Sequence, residues 1–359
     1  MPVITVLGDV EPEKLGITAP HEHILLDAWS SIVEKEAPSV KTASLKKDVP
    51  NNDLYYQKVT MSNLGALKLD VAAVKDNLVL SDVDTAVEEL MEFKKLGGNS
   101  VADLTNEYMG RDVLELRKIS KITGLNIVTC TGYYMSDSLP ESIKNKNEDE
   151  LAADMIKEIE EGIGDTGIRA GVIGEIGVSR EVKKEELRVL RASAGAQKET
   201  GTALYVHTWP FGIDGIRVAD ELESSGAIMD KVVICHVDGT INLEYCKKLL
   251  DKGVYIGFEH FGKEYREIVD GKIYIIPNDL ERLVAIRDLI KLDEDYLGRI
   301  IISTDRCLKT ELLKYGGQGY AHILRTIVPY MKMLDFSDDQ IATLISTNPR
   351  ELLTIRKIR

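Results

Sequence analysis

What this chain has little of narrows its chemistry first. Its 359 residues include only 4 cysteines, Cys130, Cys235, Cys246 and Cys307. They are scattered and form no CxxC pair, and three lie in or at the end of apolar runs, where cysteine behaves as a small hydrophobe. They are expected to pack rather than to ligate, and a reducing cytoplasm is the expected compartment. Aromatic residues make up 6%, which argues against the apolar, aromatic pocket that a bulky neutral substrate needs. No window approaches the roughly 18 uninterrupted apolar residues of a membrane span. Met1 to Val6 lacks the basic and apolar segments of a secretion signal. Basic charge is also short, with 45 Lys and Arg against 59 Asp and Glu and a net charge of −14. Such an acidic surface disfavours nucleic acid and anionic membranes. It leaves room for a small anionic substrate held by a locally cationic pocket.

What the chain does have is rhythm. Runs rich in Val and Ile occur at 16–22, 100–105, 126–133, 170–176, 202–207, 232–237, 254–259 and 299–304. Amphipathic stretches separate them, such as Val113, Leu116, Ile119 and Ile122, or Leu280, Leu283, Ile286 and Leu289. Gly97, Gly124 and Gly201 fall where helix C-termini are expected. Continuous apolar strands alternating with helices predict a parallel sheet covered on both faces. Eight such units can close into a (β/α)₈ TIM barrel, which is the expected fold; an open doubly wound sheet shares the local pattern. The length, with 44% hydrophobic and 29% charged residues, fits one domain over 1–359. One segment breaks the rhythm. Residues 27–80 are long, polar in the middle, and contain Pro50-Asn51-Asn52-Asp53 followed by Tyr55 and Tyr56. A stretch of that length after the first strand is expected to be a functional loop or lid. A helix is expected to resume with Ser81 as its cap and to run to Leu96.

The 6 histidines are His21, His23, His207, His236, His260 and His322. All but the last fall at or just beyond the C-terminal end of an expected strand, the face where barrel loops gather active sites. Residues i and i+2 of a strand share a side, so His21 and His23 can face one cation while Glu22 points away. His207 closes Leu204-Tyr205-Val206-His207, His236 closes Val233-Ile234-Cys235-His236, and Asp305 follows Ile301-Ile302-Ser303-Thr304. Glu175 stands in an apolar run, Gly171-Val172-Ile173-Gly174-Glu175-Ile176-Gly177. An unpaired carboxylate there is costly to bury, so it meets either a metal or a salt-bridge partner such as Arg169 or Arg180. Four imidazoles and two carboxylates converging on one face suit Zn²⁺ or a similar borderline cation.

These residues resemble the phosphotriesterase-related proteins of the amidohydrolase superfamily over nearly the whole chain. The likeness also covers Gly110-Arg111-Asp112, Thr131-Gly132-Tyr133, Arg169-Ala170-Gly171 and Thr347-Asn348-Pro349. It implies a (β/α)₈ barrel with two divalent metal ions, zinc first with manganese or cobalt as alternatives. By the resemblance His21, His23 and Asp305 hold one metal, His207 and His236 the second, and a carboxylate on the fourth strand bridges them. Many members bridge with a carbamylated Lys. Here Glu175 stands in its place, as in the branch that bridges with Glu directly, and no Lys lies in 166–181.

The resemblance covers phosphotriester, lactone and related carboxyl-ester hydrolysis, so loops must set the substrate. His260 and Lys263 follow the seventh strand, and Arg306 and Lys309 follow the eighth. These four are the expected substrate contacts, a cation cluster for a phosphate, although Arg306 and Lys309 could equally be solvent-exposed loop charge. Tyr134 resembles a lactonase tyrosine beside the scissile ester, with Tyr133 as its rival if the register slips by one. The expected function is a lactonase that opens a phosphorylated sugar lactone by attack of a metal-bridging hydroxide, with Asp305 as proton acceptor. The alternatives are a phosphotriesterase, a mononuclear deaminase and a non-catalytic metal-binding barrel. A homodimer is the default oligomer.

Overall fold

The computed structural model describes residues 1–28, 54–263, 266–269 and 272–356. All of the apolar runs become strands of one sheet: β1 Ile17–Glu22, β2 Gly98–Asp103, β3 Asn126–Thr131, β4 Val172–Gly177, β5 Ala203–His207, β6 Val232–Ile234, β7 Tyr255–Phe258 and β8 Ile300–Ile302. Each pairs in parallel with the next. β6 and β8 end earlier than their apolar runs. His236 and Asp305 take positive φ, 64° and 44°, and turn the chain out of the sheet.

β1 and β8 stand at the two ends of the strand order, and polar atoms join them. The His21 amide donates to Ser303 Oγ at 3.2 Å, and the Asp305 amide donates to the His21 carbonyl at 3.2 Å. The Glu22 carboxylate accepts from Ser303 Oγ, the Thr304 amide, Thr304 Oγ1 and the Arg306 amide, at 2.9, 2.9, 2.6 and 2.9 Å. The sheet thereby closes into a (β/α)₈ barrel.

Alternation along the strands divides the core in two. Ala102, Val128, Cys130, Val172, Ala203, Tyr205, Val233, Tyr255 and Ile301 meet one another inside the barrel. Their neighbours Val101, Ile127, Ile173, Leu204, Ile256 and Ile300 pack outward against helix residues such as Leu90, Leu116, Leu190 and Ile286. The covering helices are α1 Val83–Lys95, α2 Val113–Thr123, α3 Glu148–Glu160, α4 Lys184–Thr200, α5 Gly215–Ser224, α6 Leu243–Asp251 and α7 Asp279–Leu292. Short helical segments after β8 end at Asn348–Leu353. Side-chain oxygens of Asp112, Asn147, Asn242 and Asn278 accept the first free amides of α2, α3, α6 and α7 and fix where those helices begin. The cap of α1 is Asp82, not Ser81, because the Asp82 carboxylate accepts the amides of Asp84 and Thr85.

Of the 27–80 segment, Pro50 to Asp53 lies outside the described residues. Its far end returns to the barrel mouth, where Val79–Leu80 pairs antiparallel with Leu26–Asp27. Asp76 and Asn77 then meet the loop after β8 at Lys309 and Thr310, at 2.8 and 2.9 Å. No helix among the described residues is long and apolar enough to cross a membrane.

Candidate metal centre

Each metal-ligand candidate reaches the mouth by its own local device. In β5, Ala203, Tyr205 and His207 share a face, and Tyr205 belongs to the inner core, so strand alternation aims His207 inward. The same rule would send Glu175 outward, since Ile173 packs against the helices. A bulge reverses it. Ile173 pairs with Leu204 but Ile176 with Val206, so β4 carries one extra residue, which flips the side on which the next residue falls. Gly174 makes that bulge possible. At its φ of +140°, a Cβ would lie 2.8 Å from Tyr205 Cβ and 2.9 Å from the Tyr205 carbonyl oxygen.

The side chains then converge. Glu175 Oε1 lies 2.8 Å from His236 Nε2, 3.3 Å from His207 Nδ1 and 3.8 Å from His21 Nε2. Asp305 Oδ1 lies 3.2 Å from His23 Nε2 and 3.7 Å from His21 Nε2. Asp305 Oδ2 accepts from Lys263 Nζ at 2.7 Å and lies 3.8 Å from His260 Nε2. All of these residues are buried except His207, which is partly exposed.

The residues fit a pair of divalent cations. His21 Nε2 is buried with no hydrogen-bond partner and faces both carboxylates at distances too long for a hydrogen bond. Its other nitrogen, Nδ1, is 2.8 Å from Glu259 Oε1. An ionised carboxylate only accepts, so Nδ1 carries a proton and Nε2 is the nitrogen left to take a cation once its own proton is displaced. Two ligand groups, His21, His23 and Glu175 on one side and Glu175, His207 and His236 on the other, have Glu175 in common, each with its ligand atoms within 4.8 Å of one another. His236, His260 and Asp305 form another such group, as do His21, Cys235 and Glu259. Burial pushes the Cys235 thiol well above its ordinary range, which suits packing.

Charge balance points the same way. Burial alone would raise the Glu175 carboxyl, but His207, His21 and His236 facing it hold it well below the usual carboxylate range. Burial likewise opposes ionisation of Asp305, and Lys263 with His23 and His21 overrides it. Burial disfavours the His21 imidazolium, yet Glu259 and Glu175 draw its pKa up to about 9. A proton held at His21 would therefore be displaced by a cation bound there.

Around this centre lies a layer that the sequence reading overlooked. Glu259 serves a histidine of each ligand group, holding His21 Nδ1 through Oε1 and the His236 amide at 3.0 Å through Oε2. Thr105 Oγ1 lies 2.9 Å from His23 Nδ1. His260 Nδ1 lies 2.9 Å from Asp238 Oδ1, and Asp238 Oδ2 accepts from Arg282 Nε at 2.7 Å. Such partners fix the ring orientation of ligating histidines. A signal for Glu259 was present, since it is a carboxylate at the end of an apolar run, the feature that marked Glu175.

The expected substrate contacts divide. Tyr134 OH is 3.2 Å from His207 Nδ1, within the site. Its rival Tyr133 points outward and donates to Asp154 Oδ2 at 2.7 Å. His260 and Lys263 lie beside Asp305. Arg306 requires correction: its guanidinium is fully buried and donates to the carbonyls of Phe261 and Gly319 at 2.9 and 3.3 Å. Lys309 is neither free loop charge nor a mouth cation, because it pairs with Asp76. Neither arginine considered for Glu175 meets it. Arg169 pairs with Asp9, and Arg180 lies 4.7 Å over the Trp209 ring.

The sequence model of the phosphotriesterase family matches residues 1–353. An N-acetyltaurine hydrolase from Dictyostelium discoideum is 32% identical over 98% of both chains. A phosphotriesterase-related protein from Nematostella vectensis is 35% identical over 98% of both. Among solved structures, a resiniferatoxin-binding protein from Rhodobacter sphaeroides superposes with a TM-score of 0.90 at 32% identity, covering 98% of this chain and 94% of that one. A phosphotriesterase homology protein from Escherichia coli, complexed with phosphate in its active site, gives 0.75 at 26% identity, covering 95% and 99%.

Proposed function

The chain belongs to the phosphotriesterase family of metal-dependent hydrolases, and from that membership we propose that it hydrolyses a carboxyl amide or ester of a small anionic substrate, an N-acylated amino sulfonate first among them. The observation that carries the reading is the pair of ligand groups that share Glu175, with an ionised Asp305 beside them. His21, His23, Glu175, His207, His236 and Asp305 would hold two divalent ions, zinc first, with manganese or cobalt able to use the same ligands. Bound there, the ions would polarise the acyl carbonyl and make water acidic enough to supply hydroxide near neutral pH.

The chain's own residues do the rest. Asp305, kept ionised by Lys263, accepts the proton of the attacking water at a carboxylate oxygen. Lys263 Nζ, hydrogen-bonded to Asp305 Oδ2, steadies that carboxylate, which then passes the proton it has taken to the departing nitrogen or oxygen. His260, backed by Asp238 and Arg282, borders the same carboxylate. Tyr134 can orient the acyl group beside His207.

N-acetyltaurine is the amide that the Dictyostelium relative is named for, and that relative aligns over nearly its full length. A phosphorylated sugar lactone is the second reading, favoured by the phosphate in the Escherichia coli homologue's active site. Arg306, Lys309 and Lys263 are engaged with backbone, Asp76 and Asp305 respectively, so neither reading takes a free cation for its anionic group from them. Metal-loaded protein should split N-acetyltaurine into acetate and taurine with a kcat/KM at least about tenfold above that for any sugar lactone, a difference of about 1.4 kcal/mol in the barrier. Faster opening of a phosphorylated lactone would put the second reading first. Turnover of a neutral phosphotriester alone would remove both.

A further inference from the structure

Glu22 lies between two metal-ligand candidates and is itself 0% exposed. It faces neither ligand group. Its carboxylate reaches across the seam to the end of β8, where, among the described residues, its hydrogen bonds are made. Oε1 takes Ser303 Oγ, Thr304 Oγ1 and the Thr304 amide, and Oε2 takes the Arg306 amide. The two amides flank Asp305, the residue whose φ of 44° lies in the left-handed region that side chains seldom adopt. One carboxylate therefore holds the peptide that follows the strained residue and the amide of the residue before it, while the peptide between them is held by the His21 carbonyl. The turn at Asp305 aims its side chain back toward His21, His23 and Lys263. The same strand end is tied to His21 through the Ser303 hydroxyl and the His21 carbonyl.

We propose that Glu22 is a positioning residue that fixes Asp305 in its ligating orientation and so sets the cation affinity of the His21 and His23 side of the centre. The proposal rests on the two-cation reading above. Its chemistry needs both carboxylate oxygens as acceptors. A glutamine of the same shape has one acceptor and one donor. With its oxygen at the three-donor end, its amide NH₂ meets the Arg306 N–H, donor against donor, and the peptide after Asp305 is released.

Titration of the metal-free protein with cobalt(II), followed by its visible spectrum and by calorimetry, tests this without reference to turnover. The wild type should bind two ions. Glu22→Gln should weaken one of them by about 10- to 100-fold, the usual effect of losing a partner behind a ligand, and leave the other within about twofold. Asp305→Ala should weaken the same ion, and the double variant should be no weaker than Asp305→Ala alone, since Glu22 then has nothing left to position. Equal weakening of both ions, or losses that add in the double variant, would make Glu22 an ordinary structural residue and overturn the proposal. If Glu22→Gln does not fold, Thr304→Val keeps the charge and the shape and removes one donor from Oε1. It should weaken that same ion severalfold, and an even loss at both ions would again overturn the proposal. A wild type that binds fewer than two ions would instead refute the two-cation reading on which it stands.

Discussion

The two ends of the barrel treat buried polar groups in opposite ways. At the floor, where the strands begin, neutral donors meet backbone carbonyls. Ser100 Oγ donates to Leu15 O at 2.7 Å, and Asn348 Nδ2 donates to Leu297 O and Ile300 O at 2.8 and 2.7 Å. A buried cation there, Lys231, binds the carbonyls of Glu351, Leu352 and Thr354 at the end of the last helix. At the mouth, Glu22, Glu175, Asp238, Glu259 and Asp305 are all buried. A neutral hydrogen bond contributes about 1 kcal/mol to stability, whereas a buried carboxylate destabilises unless charge or several donors meet it. The floor is built to hold the fold together. The mouth keeps a concentration of negative charge, which neutral donors satisfy at Glu22 and which protons or cations complete at Glu175 and Asp305.

Substitutions that treat the mouth as if it were the floor should therefore fail by different amounts. The largest effect is expected for Glu175→Gln, which keeps the size but removes the charge shared by both ligand groups. Metal content should fall from two ions to one and kcat by about 10³-fold or more, the scale of losing a central electrostatic group. Elemental analysis alongside turnover measures both, and an unchanged variant would make the mouth's charge as structural as the floor's. Asp305→Asn comes next, with a drop of at least about 10²-fold in kcat from the lost proton acceptor, while the ion held by His207 and His236 stays bound. A wild-type kcat would remove Asp305 from the proton path.

Lys263→Ala sharpens the contrast between the two buried lysines. Lys263 meets a carboxylate, so its loss should act through Asp305 and lower kcat/KM about tenfold or more, the value of a charge-assisted hydrogen bond. The loss should be equal for anionic and uncharged acyl substrates. Damage confined to anionic substrates would restore Lys263 as a direct anion contact. Lys231 meets only carbonyls, and burial, helped by Arg356, draws its pKa down to about 8 from 10.5. Between those values the unfolded chain binds the extra proton, so stability should rise with pH by up to about 1.4 kcal/mol per unit from this group. Lys231→Met should flatten that slope and leave kcat unchanged, as denaturant melts from pH 7.5 to 10.5 would show. An identical slope in the variant would place the proton elsewhere.

The strands were legible because a parallel barrel buries both faces, and buried strands announce themselves as apolar runs. His207 was legible because strand alternation holds in β5. Glu175 was legible by its residue type alone. Its inward direction depends on a bulge, and nothing in the letters of β4 shows that Ile176 rather than Glu175 pairs with Val206. The place of Arg306 is not legible in the letters, because closeness to Asp305 in sequence is not closeness in space. The left-handed turn at Asp305 aims one side chain at the mouth and buries the next against Phe261 and Gly319. Lys309 misled because its partner Asp76 is 233 residues away, on the segment whose packing no local pattern encodes.

The closure of the barrel carries a consequence for the order in which this protein assembles. Glu22 and Thr304 are 282 positions apart, and nearly the whole chain must be synthesised and folded before they can touch. Contacts of such separation form late, because the intervening loop entropy must be overcome first. The carboxylates of the mouth stay solvated while the strands associate and are sealed only when β8 docks on β1. Metal uptake is then a report of completed folding, and a chain released before β8 emerges has five of the six candidate ligands but lacks Asp305 and the closed barrel that would hold them together.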